Sequence, residues 1–368
     1  MFPSLRAAAA AALLAVASVQ AAPQATATSA VGGNTSVAGT RACNNSPSLC
    51  SRQYNRITYM GAHDSSFLRD KSTGNSLSGN QFKNATVALD AGLRLLQAQV
   101  HKPNSTLELC HTSCSLLDAG PLESWLAAVN DWMAKNPNEV VTLVLVNSDN
   151  APASDFGSVF EKSGISKLGY KSTTTSATGN WPTLDTMINQ GTRVVSFVTN
   201  IQYSSATPYL LPEFDFAFET PFAVTELTGF NCTLDRPSRA GPAATALSNN
   251  FMSLVNHFKY QSLGSSIMVP DVDRIDVVNS PATSADGNLG KHLQACKTQW
   301  NQQPNFVLVD FWDRASPIQA VDSMNGLGST TGRKSASSSE QSTGSVTNSQ
   351  NLEYGALVAF LTATLLLV

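Results

Sequence analysis

Residues 122–146 limit the fold more than any other stretch of the chain. From Leu122 to Lys135, apolar side chains recur at Leu122, Trp125, Leu126, Val129, Trp132 and Met133. That is the period of a helix with one buried face. Asn136-Pro137-Asn138 stops it, and residues 140–146 are then almost wholly apolar. Such a run predicts a strand covered on both sides, as in a parallel sheet flanked by helices. Further strands are predicted at residues 57–60, 93–100, 193–198, 214–218, 267–269 and 306–311, and helices at 241–260 and 288–300. No internal repeat is visible. The folded part is expected at 41–325, about 285 residues, close to the roughly 250 of an α/β barrel. The expected fold class is therefore α/β, a distorted TIM-type barrel, whose chemistry sits at the C-terminal strand ends.

Both ends of the chain read as addresses. Arg6 precedes an apolar run from Ala7 to Val19, and Val19-Gln20-Ala21 fits a small-x-small cleavage site. Residues 1–21 are thus a secretory signal peptide, and 22–40, rich in Ala, Thr, Ser and Gly, a flexible mature N-terminus. Residues 355–368 are apolar or small, too short for a span and followed by no basic residue. Before them, 326–354 is a polar stalk containing Ser342-Thr343-Gly344. Small triplet, spacer and apolar tail form a GPI-attachment signal, with Ser342 as the expected site.

The six cysteines suit an oxidising compartment. Proximity pairs Cys43 with Cys50 and Cys110 with Cys114, which leaves Cys232 for Cys296; other connectivities stay open. Paired C-x-x-C knuckles of a zinc site are missing. Sequons stand at Asn34, Asn44, Asn84, Asn104 and Asn231 and permit glycans. Charged residues are only 13% of the chain and the net charge is −3, which argues against a nucleic-acid partner. No G-x-G-x-x-G or Walker loop points to a nucleotide cofactor.

Chemistry gathers at the predicted strand ends. The first strand runs into Gly61-Ala62-His63-Asp64-Ser65, and a histidine there can serve as a general base. On the second, alternation places Gln97, Gln99 and His101 on one face. Two amides facing the helices would be costly, so they are expected to line the barrel mouth, with Arg94 on the other face. His111 follows Cys110 in a short disulfide loop. Asp310 ends the last strand, where it can orient an imidazole.

Gly61-Ala62-His63-Asp64-Ser65, Ala91-Gly92-Leu93-Arg94-Leu95-Leu96, Cys110-His111 and the stretch from Leu122 to Leu143 resemble the X-domain of phosphatidylinositol-specific phospholipase C. The likeness covers about residues 54–147 and returns at 306–312. It is similar above all to secreted fungal PLC-like phosphodiesterases. The resemblance implies an incompletely closed barrel and cleavage of a phosphodiester, with His63 taking the proton of the attacking hydroxyl and His111 protonating the leaving alcohol. In that family an arginine, or calcium held by carboxylates, neutralises the phosphate. At the matching places this chain has Gln97 and Gln99. Glutamine donates a hydrogen bond but brings no charge, a loss of several kcal/mol of transition-state stabilisation. Calcium would find only Asp64, Gln97, Gln99 and Asn147, a thin set of oxygens. His101 or Lys102 is the other candidate source of charge.

The resemblance thus implies a GPI-anchored phosphodiesterase acting on a phospholipid or related head group. The alternative is a catalytically silent cell-surface or cell-wall glycoprotein that keeps the barrel for binding. A glycerophosphodiesterase-like or sphingomyelinase D-like barrel would open with His-Arg-Gly and carry a Glu-x-Asp pair, where this chain has His63-Asp64-Ser65 and Gln97-x-Gln99.

Overall fold

The computed structural model describes residues 41–335, apart from 265 and 266. The signal peptide, the 22–40 segment, Asn34, Ser342 and the apolar tail lie outside the described residues. The strands are β1 (Tyr59–Ala62), β2 (Leu95–His101), β3 (Glu108–Cys110), β4 (Asp118–Pro121), β5 (Val141–Asn147), β6 (Val194–Val198), β7 (Leu210–Pro212), β8 (Ala217–Glu219), β9 (Met252–Asn256), β10 (Tyr260–Leu263), β11 (Ile267–Pro270) and β12 (Phe306–Val309). One parallel sheet runs in the order β7-β6-β5-β2-β1-β12-β9-β8. Its edges, β7 and β8, are joined through the short helix Glu213–Phe216 and share no ladder among the described residues. The result is an α/β barrel of TIM type left open at one seam.

Period-two alternation builds two cores from the same strands. One set of faces packs outward against helices, through Leu96, Ala98, Leu143, Leu145, Val307 and Val309. The other fills the barrel, through Tyr59, Leu95, Val144, Phe197, Phe306 and Leu308. Tyr54 plugs the barrel floor, with its hydroxyl 2.6 Å from Thr142 Oγ1 and its ring 4.8 Å from that of Trp181. Above this apolar floor the inner positions turn polar. Tyr59 and Gly61 lead to His63, Leu95 to Gln97 and Gln99, and Phe306 and Leu308 to Asp310. Gly61 has no room for a side chain: a Cβ there would lie 2.5 Å from Leu95 Cγ. On the outer face, Arg94 donates to Glu139 Oε2 and Asn45 Oδ1.

The cysteines pair as expected, Cys43–Cys50, Cys110–Cys114 and Cys232–Cys296. Three elements differ from the sequence expectation. Residues 241–260 were expected to be one helix, but the helix is Ala243–Ser248 and β9 follows it. Asn250, with a left-handed φ of 64°, turns the chain between them. A short apolar run such as 251–255 suits a buried helix or a buried strand equally, and pairing with β12 decides it. Residues 267–269 do form a strand, but β11 belongs to a separate antiparallel hairpin with β10. Residues 214–218 are mostly a helical turn, and only the last two enter β8. Beyond Asn325 the chain still touches the barrel: Thr331 N donates to Asn45 O, and Arg333 pairs with Asp322.

Candidate active site

Four strand ends converge at the barrel mouth. His63 follows β1, and its Nδ1 lies 2.8 Å from Asp310 Oδ1, which follows β12. Register sets this pair. Ala62 is level with Val309 in the parallel ladder, so the next residue of each strand meets the other. His63 Nε2 points to Asp64 Oδ2 at 3.6 Å. His111 Nε2 approaches the same oxygen at 3.3 Å. The two imidazoles, far apart in sequence, therefore address one carboxylate oxygen. His63, Asp64, His111, Gln97 and Asp310 are all buried.

Each of the three anchoring positions sits beside a strained backbone. Asp64 (φ 45°), Thr112 (φ 61°) and Phe311 (φ 42°) are left-handed without being glycine. Such strain persists where the surroundings over-determine the conformation, and it clusters at functional sites. Here it turns the chain directly at or after His63, His111 and Asp310.

The second strand supplies scaffolding. Gln97 Oε1 accepts from Asp64 N at 2.6 Å, and Gln99 Oε1 accepts from Thr112 N at 2.9 Å. Gln99 Nε2 reaches Asp64 Oδ2 at 3.4 Å. Each glutamine thus holds the residue at, or just after, a histidine. Asn147 turns its Oδ1 to Ala151 N at 2.9 Å. Three of the four oxygens considered for calcium are committed to backbone amides, and these residues do not fit a calcium cage. Among the described residues the one grouping compact enough for a metal is Cys232, His292 and Cys296, and its cysteines form a disulfide. His101 and Lys102 do not bring charge to the site either. They pair with Asp149 and Asp155.

Burial disfavours the charged form of His63, but Asp64 and Asp310 outweigh it and raise its pKa above the ordinary histidine value. Asp64 is pulled the other way. Burial favours its protonation, yet His63 and His111 hold it below the usual carboxylate range. Asp310 is raised, by burial first, with Asp64 adding to it against the opposing pull of His63. Two carboxylates pushed in opposite directions around an imidazole are the arrangement expected of a proton-transfer site.

Several contributors escaped the sequence reading. Asn80 Nδ2 donates to Asp310 Oδ1 at 3.1 Å, and Gln81 Nε2 donates to His63 O at 2.6 Å. Both come from the loop after β1. Phe258 lies on the face of His63 with ring centroids 3.6 Å apart. Glu219 at the end of β8 accepts from Arg236 Nε at 2.9 Å and from Asn256 Nδ2 at 3.1 Å. Burial and the charge of Glu219 push buried Glu213 well above the carboxylate range, while Arg236 keeps Glu219 ionised against its own burial. Asn, Gln, Glu and Phe at these places carry no spacing signal; only the fold assembles them. Among the sequons, Asn104 and Asn231 are exposed and Asn84 is half-buried. Asn44 is buried, and its Nδ2 donates to Val140 O at 3.1 Å. An amide nitrogen so engaged is closed to glycan attachment.

Comparison with known proteins gives the chain relatives. The PI-PLC X family matches residues 49–325. A PI-PLC X domain-containing protein 1 of Arthroderma benhamiae is 36% identical over 287 residues, covering 77% of this chain and 90% of the relative. A second protein of that fungus, named only as an uncharacterized secreted protein, is 34% identical over 330 residues, covering 87% of this chain and 72% of its own length. Among solved structures, the phosphatidylinositol-specific phospholipase C of Listeria monocytogenes is 14% identical, with a TM-score of 0.47, covering 75% of this chain and 95% of that one.

Proposed function

Because this chain belongs to the PI-PLC X family, we propose that it is a secreted phosphodiesterase that cleaves a phospholipid, or a related head group, by acid–base catalysis with two histidines. The observation that carries this reading is the convergence of His63 Nε2 and His111 Nε2 on one oxygen of Asp64. Asp310 occupies Nδ1 of His63, so Nε2 is the atom left to receive a proton. An attacking hydroxyl gives its proton to that nitrogen as its oxygen bonds to phosphorus. The bond from phosphorus to the leaving oxygen breaks, and His111 delivers a proton there. The raised pKa makes His63 a stronger base once it is free, and it moves the acid limb of the rate upward in pH.

A lipid substrate is supported by the surface around the mouth. The large apolar side chains exposed among the described residues are Leu77, Leu116, Tyr203, Leu263 and Met268. All lie in segments that follow the C-terminal ends of β1, β2, β6 and β9. A rim of single apolar side chains suits contact with a bilayer. Secretion is supported by the N-terminal signal and by the name of the second relative. The proposed tether is a GPI anchor at Ser342, which mass spectrometry of the C-terminal peptide would test. Glycans are proposed at Asn34, Asn84, Asn104 and Asn231.

The test is turnover by the mature protein on phosphatidylinositol and phosphatidylcholine vesicles, beside His63→Ala and His111→Ala. Each substitution is expected to reduce kcat by about 10²–10⁴-fold. Wild-type turnover no greater than that of the variants on every lipid would favour the silent glycoprotein. One feature supports that second reading: Gln97 and Gln99 spend their carbonyl oxygens on the protein's own backbone and bring no charge to a phosphate.

A further inference from the structure

The two histidines have different aromatic neighbours. Phe67 meets His111 edge-on, at 5.1 Å and 61°. Phe258 covers His63 face to face, with centroids 3.6 Å apart and planes 7° from parallel. At that spacing and tilt the rings overlap with little lateral offset. Two neutral aromatic rings avoid this arrangement, because their electron-rich faces repel, and prefer an offset or an edge contact. A cation over an aromatic face is attracted instead. The sandwich therefore suits an imidazolium and disfavours a neutral imidazole.

Phe258 is also well held. It is 2% exposed. The backbone of the preceding residue is tied to β12, where His257 N donates to Leu308 O at 2.9 Å. Two residues on, Tyr260 N donates to Val224 O at 2.8 Å, and the Tyr260 ring meets Phe258 edge-on at 5.8 Å. The polar groups around His63 meet its edge: Asp310 and Asn80 at Nδ1, and Asp64 at Nε2. Phe258 is the ring on its face.

We propose that Phe258 is a positioning residue for His63: its ring fixes the plane in which Nε2 points and favours the state in which His63 holds the transferred proton. This rests on the proposed acid–base role of His63 for its consequence in catalysis, but its physical content does not need turnover. The other charged or titratable groups that bear on His63 are Asp64 after β1, Asp310 after β12, Glu219 at the end of β8, and His111 through the shared Asp64 oxygen. Arg236 and Tyr260 stand behind them. Of these, Tyr260 touches the Phe258 ring edge-on, so the fluorinated series below, which keeps the ring's shape, leaves that contact in place.

The experiment is an NMR titration of the mature chain carrying 13C-labelled histidine. The sequence has only five histidines, so the His63 resonance is assigned by its loss in His63→Gln. Phe258→Leu keeps an apolar side chain and removes the ring. It is expected to move the His63 ring proton downfield, as the shielding ring current is lost, and to lower the His63 pKa by about one unit. Phe258→Tyr should restore both. Phenylalanine bearing two and then five fluorines at 258 keeps the shape, weakens the face charge and should lower the pKa stepwise, which covers the case in which the leucine variant does not fold. An unchanged His63 shift and pKa in Phe258→Leu, or no trend along the fluorinated series, would overturn the proposal. Where turnover is measurable, the acid limb of kcat/KM should shift down in pH by the same amount. If no lipid is turned over, the NMR result still decides the role of Phe258, and the enzymatic reading fails separately.

Discussion

Two pairs of buried histidines lie in this barrel, and their surroundings are opposite in kind. His63 and His111 stand among carboxylates. His257 and His292 face each other, Nδ1 to Nδ1 at 2.9 Å, and their Nε2 atoms meet the carbonyls of Val278 and Asn231. Burial depresses His257 to about 3, with His292 adding to it, and His292 to about 4. Burial acts on His63 in the same direction, but Asp64 and Asp310 reverse the outcome. Burial with no carboxylate alongside thus turns a histidine into a neutral packing group. The carboxylates at its edges turn it into a group that can carry a proton.

The largest expected effect comes from making His63 resemble His257. Asp310→Asn keeps the shape of the side chain and removes the charge at Nδ1. His63 should then drop toward, or below, the ordinary histidine pKa. Turnover should fall by about 10²–10³-fold, the scale of a misoriented general base. Rates within threefold of wild type, with an unmoved His63 titration, would show that Asp310 is packing only.

The second pair predicts how the fold fails in acid. Both pKa values lie below the unfolded value near 6.5. Below 6.5 the unfolded chain takes up protons that the folded pair refuses. The stabilising contribution is therefore complete above about 6.5 and is lost as pH falls through about 4 and then about 3. In that window the slope approaches ~1.4 kcal/mol per pH unit for each group. His63 has the opposite sign. Its raised pKa adds stability that is fully present below 6.5 and lost as pH rises through the folded value. Urea midpoints between pH 7 and 4 should fall steeply for the native sequence and less steeply for His292→Gln. Parallel curves for the two proteins would contradict the neutral-pair account.

Much of the site could be read from the sequence where regular alternation carries it. Tyr59, Gly61 and His63, and Leu95, Gln97 and Gln99, follow one strand face, and a strand's period of two needs no tertiary information. Asp310 at the end of β12 was readable for the same reason. The β9 strand was not, because a short apolar run flanked by turn residues suits either structure until β12 pairs with it. With β9 went Asn256, His257 and Phe258. Asn80 and Gln81 sit in an irregular loop with no period, and they reach the site only because that loop folds back over the mouth. The glutamines were expected to line the barrel mouth; what the alternation could not give is their bonding there, where their oxygens hold Asp64 N and Thr112 N.

A smaller effect is expected at the other histidine. His63 is fixed by a charged bond, whereas His111 is fixed by its backbone. The Cys110–Cys114 disulfide closes a loop of sequence separation 4 at this point. In the chain-entropy account so short a loop contributes about 2 kcal/mol, less than the 64-residue separation of Cys232 and Cys296 would. Two further bonds hold the same turn without it: His111 N to Leu117 O at 2.9 Å, and Thr112 N to Gln99 Oε1 at 2.9 Å. Cys110→Ala with Cys114→Ala should therefore lower the urea midpoint modestly and reduce turnover by less than about tenfold, since His111, the proposed general acid, keeps most of its orientation. Adding Gln99→Ala should make the loss more than multiplicative, because the turn then loses two restraints that act on the same residues. Simple additivity would mean that the position of His111 depends on its contact with Asp64 rather than on its backbone, and the contrast between the two histidines would narrow to which carboxylate each one meets.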